Sequence, residues 1–193
     1  IGNTSRELAI ANQLKELGLM QGAGTNPDGT VDFALDRAPT RVEAMVLLLR
    51  LLGKGDEASA YDASKCPFSD APVWAREELA YAYDNGLTNG IGGGMFGTDT
   101  ATVQQFLTFV LRAMGYSDAN GEDFSWSAPE SLAMKTGILG GEGDLKNFTR
   151  GTCVRIMEAA LRNSLKTGGR LWEKLAADGV FTEEQYKSVM GVQ

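Results

Sequence analysis

Gly86-Leu87-Thr88-Asn89-Gly90 and, beyond a polar loop, Thr102-Val103-Gln104-Gln105-Phe106-Leu107 carry the organisation of this chain. Gly86 suits the left-handed position that follows a helix end, and Gly90 suits a tight turn in which a Cβ would clash. Thr102 with Gln105 has the spacing of a capping box, which satisfies backbone N–H groups at a helix start. The same order recurs on both sides. Upstream stand Gly18-Leu19-Met20-Gln21-Gly22 and Thr40-Arg41-Val42-Glu43-Ala44-Met45; downstream stand Gly137-Ile138-Leu139-Gly140-Gly141 and Thr149-Arg150-Gly151-Thr152-Cys153-Val154. A single glycine pair would carry little weight, but three in register indicate duplication.

Apolar residues follow each threonine at helical spacing: Val42, Met45, Val46 and Leu49; Val103, Phe106, Val110 and Ala113; Val154, Met157, Leu161 and Leu165. Such stripes are expected to form the core. A first helix precedes each glycine pair, predicted over 6–17 from a Thr4/Glu7 box, over 72–85 from near Ser69 or Asp70, and over 129–136 from Ser127/Glu130. Two further short helices are predicted at 171–177 and, behind a Thr182/Gln185 cap, at 182–190; they match nothing upstream and read as a cap or linker. No stretch alternates convincingly as a strand. The expectation is an all-α fold.

Composition narrows function. The 193 residues include no histidine, which removes Ser-His-Asp and Cys-His catalysis and histidine-held zinc or haem. The formal charge of −7 lacks the cationic field that nucleic acid or anionic lipid requires, and no apolar run suits a membrane span. The two cysteines, Cys66 and Cys153, leave the compartment open; a buried thiol at Cys153, in the first turn of a core helix, favours no bridge. A charged n-region and apolar h-region are missing at Ile1, so any secretory leader is expected to have been removed.

The middle segment reads Phe68-Ser69-Asp70-Ala71-Pro72-Val73-Trp74, a helix, Gly86 to Gly90, Phe96, and the Thr102 helix closing on Leu111-Arg112-Ala113-Met114-Gly115-Tyr116. It resembles the S-layer homology (SLH) domain. The first segment is similar through Asn26-Pro27-Asp28-Gly29, Phe33, Thr40-Arg41-Val42-Glu43 and Leu51-Leu52-Gly53; the third through Phe124, Trp126, Gly137 to Gly141 and Thr149-Arg150-Gly151. The resemblance implies three helix-loop-helix repeats in one pseudo-threefold unit: 1–62 (without the leading Phe-Ser-Asp-x-Pro-x-Trp), 63–119 and 120–166, with 167–193 as a C-terminal cap or linker. It also implies an extracellular, non-catalytic module, at the cell wall or S-layer, that binds an anionic, pyruvate-bearing secondary cell-wall polysaccharide. Neither cofactor nor metal, nucleic acid nor membrane insertion is expected. Val103 stands where the family has arginine and Thr152 where it has glutamate. The alternative, motivated by Val103 and the incomplete first repeat, is a degenerate module for protein-protein assembly in a surface layer or surface enzyme complex, packing against a neighbouring copy (self-association) or partner.

Arg41 and Arg150 stand just after helix N-caps, where the helix dipole disfavours a cation unless an anion joins it. A sugar carboxylate would meet a guanidinium fork and free helix N–H donors together; the protein's own carboxylates are the competing partners. Trp74 and Trp126 could stack on a sugar ring, though periodicity alone places such residues in the core, and resemblance moves Trp74 toward the site. Asp70 could cap its helix or accept a sugar hydroxyl. Gly22, Gly90 and Gly141 would let backbone approach the ligand, or serve turn geometry alone. These eight residues are the expected ligand-binding set. The repeat-three arginine with Trp126, and a groove bordered by Trp74 and Asp70, are the expected principal sites.

Other motifs fail on context. Gly92 to Gly97 fits G-x-G-x-x-G but follows a helix and turn instead of a strand. Asp118 to Glu122 begins like a calcium loop, yet its twelfth position is Pro129, leaving a solvated linker. Glu77 and Glu78 are adjacent on a helix and point apart, so they form no acid/base pair.

Overall fold

The computed structural model describes residues 2–141 and 145–191. Nine α-helices occur among the described residues: α1 Gly2–Glu16, α2 Arg41–Leu51, α3 Gly55–Ser59, α4 Arg76–Asp84, α5 Val103–Ala113, α6 Glu130–Lys135, α7 Arg150–Arg162, α8 Leu171–Ala177 and α9 Glu183–Met190. Two-residue strands β1 (Gly24–Thr25) and β2 (Val31–Asp32) pair antiparallel, a small addition to the expected helices. No helix among the described residues is long and apolar enough to cross a membrane.

α1, α4 and α6 end in the same turn. The N–H groups of Leu19, Leu87 and Ile138 return to the carbonyls of Leu14, Ala82 and Ala133, and those of Gly18, Gly86 and Gly137 to Lys15, Tyr83 and Met134. These are the paired bonds of a Schellman cap. The three glycines hold φ at +78°, +71° and +82°, a conformation that side chains resist.

α2, α5 and α7 start at Thr40, Thr102 and Thr149, whose side chains accept from the N–H groups of Glu43, Gln105 and Thr152. At Thr102 the expected box is complete, with Thr102 N–H donating to Gln105 Oε1 at 3.1 Å. At Thr149 a threonine hydroxyl serves instead, accepting from Thr149 N–H at 3.2 Å. At Thr40 the box is only half made, because the Glu43 carboxylate turns away to two arginines. The predicted stripes behind these caps are buried at Val42, Met45, Leu49, Val103, Phe106, Val110, Val154, Met157 and Leu161.

Starts of the first helices differ from the predictions. α1 already runs at Gly2, so Thr4 lies within it, and Glu7 pairs with Arg155 of α7 at 3.0 Å. The predicted 72–85 helix divides into a 3-10 turn, Val73–Ala75, and α4, without a side-chain cap. α6 starts behind Pro129, while Ser127 bonds Ser125 and Glu130 accepts from Gln104 of α5. In each case a tertiary contact takes the side chain that local capping would have used.

α2 packs on α4 and α5, α5 on α6, and α7 on α1 and α2. Backbone bonds join the segments at the helix starts: Arg41 N–H to Asp99 O, Ala101 N–H to Pro39 O, Arg150 N–H to Arg37 O and Gly151 N–H to Leu35 O, between 2.7 and 2.9 Å. α8 and α9 lie on α7 and α1 and bury Leu171, Leu175, Phe181, Tyr186 and Met190; Trp172 stacks on Tyr186 at 4.5 Å. Both cysteines are free thiols, and full burial raises the pKa of the Cys153 thiol.

Candidate functional site

α2 and α5 each floor a cavity along the same helical positions. Glu43, Val46, Leu47 and Arg50 line the first, of about 310 Å³; Gln105, Thr108, Phe109 and Arg112 line the second, of about 660 Å³. Each cavity takes a tryptophan from the segment that follows: Trp74 at the first, Trp126 at the second. Each takes its arginine from a different segment, Arg150 at the first and Arg41 at the second.

In the second cavity Arg41 Nε donates to Phe96 O at 2.8 Å, and its guanidinium lies 4.8 Å from the Phe96 ring centroid and 4.9 Å from that of Phe109. Gly97 leaves room for its aliphatic stem. No carboxylate among the described residues pairs with Arg41. Burial, and secondarily Arg112, push its pKa down, yet a guanidinium keeps its proton at any ordinary pH. Arg112 is neutralised, donating from Nε and Nη2 to both oxygens of Asp118 at 2.8 and 2.6 Å. The 118–122 stretch expected as a solvated linker therefore contributes a charge partner. Thr108, only 6% exposed, lines this cavity, and its hydroxyl is buried with no hydrogen-bond partner among the described residues. At the mouth Trp126 is 69% and Ile91 58% exposed.

In the first cavity Arg150 is 5% exposed and donates from Nε to Phe33 O at 2.9 Å and from Nη1 to Glu43 Oε2 at 3.2 Å. Arg37 donates to both oxygens of the same Glu43 at 3.1 and 3.0 Å. The third helix start, at α5, presents Val103, which is buried in the core. The surface between α7 and α1 has no tryptophan, and its arginines face acids: Arg155 with Glu7, and Arg6 and Arg162 with Glu158.

Several expectations change. Arg150 shares a cavity with Trp74, not with Trp126, because each helix start leans on the neighbouring segment. The first amides of α2 and α7 are not free for a ligand; Asp99, Arg37 and Leu35 carbonyls occupy them. Trp74 is 57% exposed, so neither Trp74 nor Trp126 is a core residue. Asp70 caps no helix, and it does not line the cavity that Trp74 borders. Its oxygens accept from the N–H groups of Phe96 and Gly97, both at 2.8 Å, tying down the loop that carries the Arg41 carbonyl partner. Burial opposes ionisation of Asp70, but these two bonds prevail and hold its pKa low. Gly22 and Gly90 line the cavities at turns where a Cβ would strike the Val31 side chain and the Phe68 ring, whereas none of the described residues lies near a Cβ at Gly141, which lines neither cavity. Thr108, Phe109, Ile91, Gln105, Arg112, Arg37 and Glu43 were missed as site residues. A polar Thr108 within an apolar stripe was the available signal.

The leader through Asp70 and Trp74, α4, the Gly86 turn and the Thr102 cap thus form one continuous structural run. Residues 68–102 match the S-layer homology domain. This SLH match contains Asp70, Trp74 and Gly90 and ends at the N-cap of α5. A stretch of 141 residues is 32% identical to a cell surface protein of Thermoanaerobacter kivui. It covers 71% of this chain, and the chain spans only 18% of that relative.

Proposed function

We propose that this chain is a non-catalytic cell-surface anchoring module that binds an anionic, pyruvate-bearing secondary cell-wall polysaccharide. The observation carrying the reading is Arg41: a cation without a carboxylate partner among the described residues, in the larger of the two tryptophan-bordered cavities, beside an exposed indole. A carboxylated sugar supplies a charge for Arg41 and a ring face for Trp126. The SLH match and the cell surface relative support placement at the cell surface. The absence of catalysis is supported by the engagement of nearby carboxylates, with Glu43 and Asp118 held by arginines and Asp70 by backbone.

The finer architecture belongs to the same proposal: SLH-type repeats at 1–62, 63–119 and 120–166 around a pseudo-threefold axis, with 167–193 as cap. Its support is the order of contacts, in which α2 meets α4, α5 meets α6 and α7 returns to α1. The test is retention on purified bacterial cell walls before and after removal of their secondary polysaccharide. Retention is expected only before removal; equal retention on both rejects the reading. A second reading, self-assembly, is favoured by Val73, 83% exposed beside Trp74. Light scattering decides it, since assembly requires a mass that rises with concentration.

A further inference from the structure

Glu43 stands on α2 where Gln105 stands on α5, three residues into each helix, and this difference separates the two cavities. Gln105 Oε1 accepts from its N-cap amide, closing the capping box and placing no charge near Arg41. Glu43 forgoes the equivalent bond. Its carboxylate accepts from Arg37 Nη1 and Nη2 and from Arg150 Nη1, at 3.0 to 3.2 Å. Two guanidinium groups converging on one carboxylate form the arrangement that would receive an acidic ligand, and here the ligand position is taken by the chain itself. The Glu43 cavity is also the smaller, about 310 against 660 Å³.

We propose that Glu43 is an internal occupant of the carboxylate position in the Trp74 cavity, so that the chain captures an acidic sugar through the Trp126 cavity alone. The inference rests on the glycan reading above and gives it a stoichiometry. An incoming carboxylate at the Trp74 cavity has to displace Glu43 from Arg37 and Arg150 or lie beside a like charge, and the remaining cation there, Arg50, is held by Gln21 Oε1 at 3.1 Å and lies in the field of Glu78. At the Trp126 cavity it meets Arg41 with no competitor among the described residues. A glutamate where the other groove has glutamine thus turns one of two similar grooves into a structural joint held by its own carboxylate.

The test uses a synthetic hexose bearing a cyclic pyruvate ketal, titrated into the full chain by calorimetry and by tryptophan fluorescence. Trp74 and Trp126 are both exposed, so Trp74→Phe and Trp126→Phe report each cavity separately without disturbing the core. The parent is expected to bind one equivalent, with the ligand-dependent signal retained in Trp74→Phe and absent from Trp126→Phe. Arg41→Ala is expected to weaken this binding at least about tenfold. Glu43→Gln is expected to bind a second equivalent and to make Trp74 responsive. Two equivalents in the parent, a Trp74 response in the parent, or a folded Glu43→Gln that stays at one equivalent each overturn the role of Glu43 while leaving the glycan reading intact. No binding by the parent or by Glu43→Gln overturns both.

Discussion

At the residue scale, the buried hydroxyl of Thr108, without a partner among the described residues, is a cost built into α5. A buried hydroxyl without a partner costs about 1–3 kcal/mol of desolvation, and Val46 occupies the same place on α2. Thr108→Val is therefore expected to raise the melting temperature of the free chain. Calorimetric melting checks this; a variant that melts lower means that the Thr108 hydroxyl carries no such penalty. Asp70 makes the second prediction. Its folded pKa is held below the ordinary 3.8, so its stabilisation is present above that value and fades as pH falls through the lower, folded one. Asp70→Asn should lose about 1–3 kcal/mol at neutral pH through two weakened bonds, and its urea midpoint should depend less on pH below about 4 than the parent's. Arg41 and Arg150 were legible because an arginine at a helix start is an electrostatic oddity. Their destinations were not, since Nε of each reaches a carbonyl of another segment and local spacing carries no such register.

At the element scale, the starts of α2, α5 and α7 were legible because threonine capping needs only residues three apart. The starts of α1, α4 and α6 were not, because Glu7 and Glu130 are drawn off by other helices. Gly151, the second residue of α7, shows the same competition. Alanine is the better helix former by roughly 1 kcal/mol. A Cβ here, however, would run into the Glu7 carboxylate and lie 3.0 Å from the Leu35 carbonyl, which receives the Gly151 N–H at 2.7 Å. The Leu35 carbonyl is backbone bonded to Gly151 itself and the Glu7 carboxylate is held by Arg155, which leaves little room to yield, and overpacking of this kind costs about 1–3 kcal/mol. Gly151→Ala is thus expected to lower the melting temperature, against helix propensity. A rise would mean that α1 and α7 can separate freely enough for the joint to be unimportant.

At the scale of the whole molecule, the contacts of α7 with α1 decide whether the segments act independently. In an open row, each segment would hold only its neighbours, and the first or last could unfold alone. Here α7 returns to α1 through Arg155 and Glu7, Arg150 reaches Phe33 O, and α8 with α9 lies across both ends. Unfolding the last segment would expose the buried face of α1 and leave Glu43 and Arg37 without Arg150. The expectation is one cooperative transition. Trp172, stacked on Tyr186 in the C-terminal cap, reports that end in a Trp74→Phe/Trp126→Phe background, while far-UV circular dichroism reports all helices. The two urea curves should share midpoint and slope. If Trp172 changes at lower urea than the helical signal, the C-terminal cap is an appendage. If the circular dichroism curve itself divides into steps, the α1 to α7 contact does not close the unit.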